Sequence, residues 1–487
     1  MKVLFLQKNT GMQERLGIMT LSSIIKDRKH EAKLILTEEY SDEEIVAKVK
    51  EYAPKVIAYS IMTGEHNYHL DLNKMIKKHY KCFSVFGGPH ATFHPSIIRK
   101  EGVDAVCRGE GDIAFPELLE KLEHGENYLN INNFFFKKSD GTIIRNELGP
   151  LVEDLDSLPF PDREIMYSAD PVIASKGNKL FMAMRGCPYN CTYCFNHTYN
   201  RMTRGKGSLL RYRSVDNLIA EMKQVKANYG LDNVCLDDDT FLLKPKGWLK
   251  EFAEKFSSEI NLPFSCNVRA NLMCQEEIGR LLKKAGCKYV WMGVECGNNE
   301  VADKILRRSI TNEQILQSSE ILRKNKINIF TQNLIGLPVE NPLEVDFETL
   351  DFNIKVRPQF AWSSILYPYP GTEIEQIAIE KGMFNSDFEK IHVSNKTTSI
   401  LDFGNKKLNR QIINLHKLFG IIVQFPVLRP FTKLLISLPL SGLYTWIFFG
   451  FYGYKSVLKQ SSWRNLAKTF RHYIPFYFKY ITKLEKH

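Results

Sequence analysis

The sequence predicts an α/β protein made of two successive parallel-sheet domains and a helical C-terminal region. In residues 1–150, and again in residues 171–390, short apolar segments alternate with amphipathic segments at helical spacing. This alternation is typical of parallel sheets covered by helices. The 487 residues, 44% hydrophobic and 25% charged, exclude a disordered chain, a collagen-like fibre and a small disulfide-bonded scaffold.

The first stretch, residues 1–150, is predicted to form a doubly wound, Rossmann-like (flavodoxin-like) domain. The intervening helices are predicted at Gly17–Lys29, Asp42–Tyr52 and Tyr68–His79. Loops at the carboxyl ends of such strands form the ligand crevice. The predicted strands are Lys2–Gln7, Ala32–Thr37, Val56–Ser60, Phe83–Phe86 and Ala105–Arg108.

A linker is expected over residues 151–170. It contains Pro159 and Pro161, followed by Asp162. Each proline disfavours helix in the residue before it, so the segment marks a domain boundary.

The second stretch, residues 171–390, is predicted to form a partial (β/α)6 TIM-like barrel. Its site should lie at the carboxyl ends of the strands. The predicted helices are Val215–Tyr229, Gln275–Ala285, Asn312–Asn325 and Pro342–Val356. The predicted strands are Leu180–Met184, Asn233–Leu236, Phe264–Val268, Tyr289–Val294, Ile327–Leu334 and Phe360–Leu366.

The last region, 391–487, is basic and rich in aromatic residues. Residues 401–487 hold 14 Lys and Arg against 2 Asp and Glu, whereas residues 1–400 hold 52 against 53. Leu434–Tyr454 is 21 residues without a charge, flanked by Lys433 and Lys455, and is interrupted by Pro and Gly. Two interpretations stay open: a buried helical hairpin that covers the barrel mouth, or a segment that lies in the membrane interface.

The strongest chemical signal is a cluster of three cysteines. Cys187, Cys191 and Cys194 follow the first predicted barrel strand directly, in a loop that Gly and Pro keep out of helix. Such a loop can wrap thiolates around an iron–sulfur cluster and leave one iron open for chemistry. The alternative is structural zinc, for which His197 is the nearest fourth ligand. No signal-peptide pattern opens the chain, so we expect a reducing, cytoplasmic location.

This motif, CxxxCxxC with an aromatic residue before the last Cys, resembles the signature of the radical S-adenosylmethionine (SAM) enzymes. The resemblance implies a [4Fe-4S] cluster on Cys187, Cys191 and Cys194, whose open iron chelates SAM. It further implies reductive cleavage of SAM to a 5′-deoxyadenosyl radical, with an electron donor such as flavodoxin or ferredoxin. Tyr193 and Phe195 would lie near the cluster and the adenine.

The resemblance extends to later strand ends of the barrel. Asp238 and Asp239 after the second strand are candidates to hold an ammonium group or a polar substrate. At the third strand Asn267 and Arg269 are candidates to bind SAM, with Arg269 suited to a carboxylate. At the fourth, Glu295 resembles the glutamate that faces the ribose of SAM, and we expect Arg269 and Glu295 to be catalytic. At the fifth, Gly336 and Pro338 resemble the adenine-side turn.

The first domain resembles the cobalamin-binding domain that is fused to many radical SAM enzymes. Gly87 and Gly88 would let the backbone approach a flat macrocycle, and Ser60 and Thr63 would hydrogen-bond its nucleotide tail. Some such domains place a cobalt-ligating His in a DxHxxG loop, but residues 7–12 contain no His. The predicted cobalamin contacts are Ser60, Thr63, Gly64, Gly87, Gly88, His90, Gly109 and Glu110.

These resemblances imply a cobalamin-dependent radical SAM enzyme that methylates an unactivated carbon of a lipid, isoprenoid or natural product. One alternative is a cyclase or rearrangement enzyme with the same cofactors, and a second is a non-catalytic cluster or cobalamin sensor. The expected partners are a small-molecule or lipid substrate and an electron donor. Residues 405–487 are a candidate contact with the inner face of the membrane. No nucleic-acid motif is present.

Overall fold

The first domain is built on a seven-stranded sheet in the order β2-β1-β3-β4-β5-β6-β7. A computed structural model describes residues 1–9, 13–391, 398–453 and 455 of the chain. The strands are β1 (Lys2–Gln7), β2 (Glu31–Leu36), β3 (Val56–Ser60), β4 (Phe83–Gly87), β5 (Ala105–Cys107), β6 (Phe134–Lys137) and β7 (Ile143–Arg145). The helices are α1 (Leu16–Asp27), α2 (Asp42–Tyr52), α3 (His66–Lys77), α4 (Pro89–Phe93) and α5 (Ala114–His124).

The order 2-1-3-4-5 of the parallel strands is flavodoxin-like, which confirms the predicted fold class. Hydrophobic clusters cover both faces of the sheet. The antiparallel strands β6 and β7 extend its edge and were not predicted, because three and four residues are too few to show a strand pattern.

The second domain is a six-stranded parallel sheet in the order β8-β11-β12-β13-β14-β15, as expected for a partial barrel. Helices α6 (Arg163–Tyr167) and α7 (Pro171–Ser175) lead into it. Its strands are β8 (Asn178–Phe181), β9 (Met184–Arg185), β10 (Arg211–Tyr212), β11 (Asn233–Leu236), β12 (Phe264–Val268), β13 (Cys287–Glu295), β14 (Asn328–Ile335) and β15 (Phe360–Ile365). Its helices are α8 (Phe195–Met202), α9 (Val215–Tyr229), α10 (Trp248–Lys255), α11 (Glu276–Ala285), α12 (Asn299–Lys304), α13 (Asn312–Lys324), α14 (Pro342–Val356) and α15 (Glu373–Glu380).

The first barrel strand is shorter than predicted. The sequence predicts one strand over Leu180–Met184, but β8 ends at Phe181 and β9 pairs antiparallel with β10. The Asp238 carboxylate accepts hydrogen bonds from the backbone N–H groups of Ala183 and Met184, at 2.7 and 3.0 Å. These bonds take the place of strand pairing and turn the chain towards the cysteine loop.

A buried guanidinium joins the two domains. Arg163 of α6 donates to Glu14, which precedes α1, and to Glu221 of α9, both at 2.8 Å. All three side chains are at most 4% exposed. Removing one partner of such a buried ion pair typically costs about 3–5 kcal/mol, because a charge is left uncompensated. The two ion pairs of Arg163 therefore fix the position of the first domain against the barrel.

The C-terminal region begins with α16 (Lys406–Gln424), followed by α17 (Thr432–Ser437) and α18 (Ser441–Tyr452). Helix α16 lies against β15, the edge strand of the barrel, and the helix comes close to the strand backbone at Gly420. A Cβ atom at Gly420 would lie 2.7 Å from the Ala361 carbonyl oxygen. Short 3-10 segments occur at Thr37–Glu39, Pro95–Arg99, Leu155–Ser157, Ala270–Leu272, Phe388–Lys390 and Pro426–Phe431, and a π-helical one at Phe256–Ile260.

The uncharged stretch Leu434–Tyr454 forms two short helices and not one long helix, since the turn that contains Pro439 separates α17 from α18. In the described part of the chain no helix is both long and apolar enough to cross a membrane. Ile436, Tyr444 and Phe448 are buried inwards against α16 and β15, so the inner side is a packed hairpin. Tyr454 and residues 456–487 lie outside the described residues.

The close contact at Gly420 gives a first prediction. We expect Gly420→Ala to lower the free energy of unfolding by about 1–3 kcal/mol, because the added Cβ forces α16 away from β15. Gly442→Ala is the control, since nothing lies within 4 Å of a Cβ at this position near the start of α18. Denaturant unfolding measures both variants, and equal stability of the two would contradict the prediction.

Candidate active site

The three predicted cluster cysteines lie in one loop between β9 and α8. Gly186 begins the loop in the left-handed region, at φ +96°, and a Cβ there would lie 1.9 Å from the Leu209 carbonyl oxygen. Only glycine fits this turn. Cys187 and Cys191 are buried and Cys194 is half-buried. The loop is anchored by Thr192, whose N–H donates to the Leu306 carbonyl at 3.1 Å.

The thiols influence one another electrostatically. Burial raises the pKa of Cys187, and it raises the pKa of Cys194 to about 12, with further upward contributions from neighbouring thiols and from Asp239. Three thiolates in one buried loop repel each other, and a bound cationic group would offset this repulsion. The donor set therefore fits an iron–sulfur cluster that is bound by Cys187, Cys191 and Cys194.

Arg269 supplies positive charge beside this loop. Its Nη1 lies 3.6 Å from Cys191 Sγ, and its guanidinium lies 3.4 Å from the centroid of the Tyr189 ring. Its Nη2 donates to the Arg308 carbonyl at 2.6 Å. The buried Nε has no hydrogen-bond partner among the described residues, so one donor is left for a ligand. Arg269 thus lies beside the cysteine loop, and its role in binding SAM stays a prediction.

Glu295 lies at the end of β13 in a strained backbone conformation, at φ +62°. Burial raises the pKa of its carboxyl, although the Arg308 guanidinium, 3.9 Å away, opposes this rise. Arg308 also donates to the Tyr193 hydroxyl at 2.8 Å and to the Gly293 carbonyl at 2.5 Å. Glu295, Arg308 and Tyr193 thus form one polar group beside the cysteine loop.

Sequence reasoning missed Arg308. It lies in the loop after α12, away from any strand end, and the only signal is the pair Arg307-Arg308. Such pairs are common on solvated surfaces, whereas Arg308 is only 6% exposed.

The three residues predicted after β11 and in β12 have different roles. Asp238 is 1% exposed, and besides its two backbone bonds it accepts from Lys244 Nζ at 2.7 Å, so its carboxylate is used within the protein. Asn267 donates to the Asp238 carbonyl at 3.0 Å. Asp239 is exposed to solvent, unlike Asp238, and its negative charge contributes to the raised pKa values of Cys187 and Cys194. Of the three, Asp239 is the best-placed candidate for a ligand.

The turn predicted to face the adenine is covered by the C-terminal region. Gly336 N–H donates to the buried carboxylate of Asp346, at 3.0 and 3.2 Å. A Cβ at Gly336 would meet Ile412 of α16 at 3.0 Å and Phe403 at 3.3 Å. Pro338 is buried beside it. The adenine role of this turn stays a prediction.

The spread of the donor side chains, and not His197 itself, disfavours the zinc alternative, since the buried His197 Nδ1 has no hydrogen-bond partner in the part of the chain that the structure describes. His197 Nε2 lies 3.1 Å from the Glu373 carboxylate, which engages this imidazole. Within the described ranges, no three His, Cys, Asp or Glu side chains converge closely enough to hold a single metal ion.

In the first domain six of the eight predicted cobalamin contacts lie at the carboxyl ends of β3 and β4, whereas Gly109 and Glu110 follow β5. Thr63 Oγ1 lies 3.0 Å from His90 Nδ1, and the His66 and His90 rings stack at 4.1 Å. Burial, together with the neighbouring imidazoles, lowers the pKa of His90 to about 2, so the ring is neutral. His90 Nε2 is buried and lacks a hydrogen-bond partner in the described chain, so it can still bond to a ligand, as can His69 Nε2.

The glycines of this region serve different purposes. A Cβ at Gly88, where φ is +90°, would lie 2.9 Å from the Ile61 backbone, so glycine is required there by the protein itself. A Cβ at Gly87 would make only an ordinary contact, at 3.8 Å. Gly64 and Gly109 adopt positive φ. The cobalamin contacts of these residues, and of Ser60, stay predictions.

Glu110, a predicted cobalamin contact, bonds to the barrel. Its carboxylate accepts from Arg211 at 2.7 and 2.9 Å and lies 3.4 Å from Arg185. The nearby Asp112 carboxylate accepts hydrogen bonds from both terminal nitrogens of Arg185, with N···O distances of 2.9 and 3.0 Å. This pair of acids ties the first domain to the strands that flank the cysteine loop.

The two candidate cofactor sites adjoin directly. Phe93, in the same helix α4 as His90, stacks on Phe195, the residue after Cys194, at 4.6 Å between ring centroids. A cofactor on the loops of β3 and β4 would therefore lie next to one held by the cysteine loop.

Comparisons with known proteins agree with both sites. Residues 182–349 match the Radical SAM superfamily model, and residues 6–119 match the B12 binding domain model. The chain is 27% identical over 378 residues to an uncharacterized methyltransferase of Pyrococcus horikoshii, which covers 76% of this chain and 79% of the relative. It is 22% identical over 370 residues to the anaerobic magnesium-protoporphyrin IX monomethyl ester cyclase of Rubrivivax gelatinosus, covering 73% of this chain and 64% of the relative.

A solved structure shares the fold. The radical SAM methyltransferase TsrM from Kitasatospora setae, determined with tryptophan substrate and a SAM analogue bound, superposes with a TM-score of 0.63 at 17% identity. The match covers 77% of this chain and 75% of TsrM.

The turn at Gly186 gives a second prediction. We expect Gly186→Ala to reduce the iron bound after anaerobic reconstitution at least tenfold, because the Cβ collides with the Leu209 carbonyl and displaces the loop. Gly205→Ala is the control, since it has a positive φ of 74° but no atom within 4 Å of its Cβ. Iron and sulfide analysis measures both, and full cluster loading in Gly186→Ala would contradict the prediction.

The neutral state of His90 gives a third prediction. The pKa of His90 in the folded protein lies below the value of about 6.5 in the unfolded chain. Below pH 6.5 the unfolded chain therefore binds more protons, and the free energy of unfolding decreases as the pH is lowered. Between pH 7 and pH 5 this single group costs about 2 kcal/mol. We expect His90→Gln to remove that part of the pH dependence.

The measurement is denaturant unfolding of the cofactor-free protein at pH 7 and pH 5. His79→Gln, a change at an exposed histidine of the same domain, is the control and should keep the wild-type slope. An unchanged slope in His90→Gln would mean that the imidazole titrates normally in the folded protein.

Proposed function

Because the chain belongs to the radical SAM proteins that carry a B12 binding domain, we propose that it is a cobalamin-dependent methyltransferase. Its acceptor would be an unactivated carbon of an apolar small molecule, such as a lipid. The observation that carries the proposal is the stacking of Phe93 on Phe195, which makes the two candidate cofactor sites neighbours. Transfer between two bound groups requires this proximity.

The cofactors supply the chemistry when bound: an electron and the adenosyl group from the cluster and SAM, and a methyl group from cobalamin. The chain's own residues hold and orient these groups and exclude water. Cys187, Cys191 and Cys194 are the ligands that would hold the cluster. Arg269 offsets the negative charge of the thiolates, which favours their ionised form.

The polar group around Glu295 is suited to SAM. A carboxylate at a strand end accepts hydrogen bonds from vicinal hydroxyls, and Arg308, 3.9 Å away, orients it and opposes the rise of its pKa that burial causes. Arg269 has a buried Nε that can donate to the carboxylate of an amino acid. Asp239, whose exposed carboxylate lies near the cysteine loop, would accept a hydrogen bond from an ammonium group. We therefore assign SAM binding to Arg269, Glu295 and Asp239, with Arg308 as a positioning residue.

The first domain would hold cobalamin through Thr63 and His90. A neutral imidazole can donate or accept one hydrogen bond at Nε2, and the bond to Thr63 fixes its ring. The loop of residues 7–12 offers no histidine, so cobalt is not ligated from that loop in this proposal. Stacked aromatic rings at the domain boundary would exclude water from the reaction.

A cyclase is the second candidate function. The similarity to the monomethyl ester cyclase favours it, and the residues that would generate the radical are compatible with either outcome. The relatives are enzymes by name, which does not support the sensor interpretation. We further propose that a small one-electron carrier, such as flavodoxin or ferredoxin, reduces the cluster.

The fourth prediction tests the reaction type. We expect the anaerobically reconstituted, cobalamin-loaded protein to cleave methyl-labelled SAM on reduction, to release 5′-deoxyadenosine and to place the label on cobalamin. Cys191→Ala should lower deoxyadenosine release at least 100-fold, whereas Cys82→Ala, outside the loop, should leave it unchanged. Chromatography and optical spectra measure both products.

Each other outcome is decisive. Deoxyadenosine without a labelled methyl on cobalamin would favour the cyclase over the methyltransferase. Absence of deoxyadenosine in a protein with a full cluster would overturn both proposals.

A further inference from the structure

The C-terminal region displays an unusual concentration of exposed apolar side chains. Among the described residues, eleven large hydrophobic side chains are exposed, and eight of them lie between residues 425 and 447. We call this set the apolar face. Its members are Phe425, Val427, Phe431, Leu434, Leu440, Leu443, Trp446 and Ile447.

The face arises because α18 is apolar on both sides. Tyr444, Thr445, Phe448 and Phe449 are buried, whereas Leu443, Ile447 and Gly450, at helical spacing i, i+4 and i+7, point outwards. A surface helix of a soluble domain normally carries polar residues at such positions. Val427, at 75% exposed, and Leu434, at 61%, extend the same property to the neighbouring segments. An exposed patch of this kind marks an interaction site.

The charge around the face identifies the partner. Lys433 is exposed within it, and residues 401–487 contain 14 Lys and Arg against 2 Asp and Glu. Arg410 is exposed beside the face, and its Nη2 donates to the Ser437 carbonyl at the end of α17, at 3.2 Å. Apolar side chains beside a strong positive charge match the surface of an anionic bilayer, where lysines meet phosphates and apolar groups enter the acyl boundary.

The lengths of the helices determine how the region would lie. Helix α18 has 12 residues, about 18 Å of helix, against about 30 Å of bilayer hydrocarbon. We propose that the apolar face of residues 425–447 docks the protein in the plane of an anionic phospholipid membrane, with α17 and α18 in the interface. A protein partner or a second copy would not need the surrounding excess of positive charge.

This inference is independent of the proposed reaction, since it concerns a surface and not the cofactors. The experiment is sedimentation of the full-length, cofactor-loaded protein with vesicles of phosphatidylcholine, with or without an equal part of phosphatidylglycerol. We expect binding to the anionic vesicles and at least tenfold weaker binding to the neutral ones. Raising NaCl from about 0.1 M to about 1 M shortens the Debye length from about 10 Å to about 3 Å and should weaken it.

Two variants test the two components of the surface. Leu434→Gln with Leu443→Gln and Ile447→Gln should lower the partition coefficient at least tenfold, and Lys433→Glu should lower it for anionic vesicles alone. Tyr40→Gln and Lys50→Glu, at exposed positions of the first domain, are the controls and should bind as the wild type does. Because the substituted side chains are exposed, we expect the variants to fold as the wild type does. An unchanged melting temperature and full cofactor loading check that they do.

The remaining results overturn the inference. A wild type that stays in the supernatant with anionic vesicles would overturn it, and so would a triple variant that binds these vesicles as tightly as the wild type does. If the triple variant only converts a dimer to a monomer in size-exclusion chromatography, with vesicle binding unchanged, the face is an interface between copies. Loss of vesicle binding with deoxyadenosine release intact separates this inference from the proposed function.

Discussion

The rest of the structure depends on the buried guanidinium of Arg163. It contacts Glu14 of the first domain and Glu221 of the barrel, and none of the three side chains has access to solvent that could replace these bonds. Arg185 and Arg211 make a second set of ion pairs with Asp112 and Glu110. Two charge clusters at separate points restrain the relative rotation of the domains, and the contact between Phe93 and Phe195 lies at the boundary they hold.

Within the site, charge compensation explains which residues come together. Buried thiols resist ionisation, and so does the buried carboxyl of Glu295. Arg269 and Arg308 reduce both costs, and the Arg308 carbonyl accepts from Arg269, so the two cations are held as one unit. Arg308 is therefore part of the site because of its contacts with Arg269 and Glu295, which its place in the sequence does not reveal. A barrel with these carboxylates and thiols but without the arginines would favour the neutral forms.

The sequence was sufficient for the fold class and for several element bounds, because apolar periodicity reports burial directly. Strands β1, β3, β11 and β12 and helices α2, α9 and α14 have the predicted bounds. Side-chain roles were less accessible. Asp238 and Asp239 look equivalent in sequence. Asp238, however, accepts hydrogen bonds from the N–H groups of Ala183 and Met184, whereas Asp239 contributes to the raised pKa of Cys194. Likewise Glu110 follows a strand end, but its partners are Arg185 and Arg211, about 75 and 100 residues later. A local sequence pattern does not reveal such a distant pairing.

Helix α16 connects the apolar face to the barrel. Its Ile412 packs over Gly336 at the end of β14, its Gly420 touches the backbone of β15, and its other side receives Ile436 and Tyr444 of the hairpin. The membrane-facing surface proposed here is therefore only one helix layer away from a strand end of the candidate site. An apolar acceptor dissolved in the bilayer would have a short path to the barrel, whereas a polar acceptor would gain nothing from such an arrangement. The location of the face thus favours a lipid acceptor, because a membrane anchor at this position lowers the cost of moving an apolar molecule out of the bilayer.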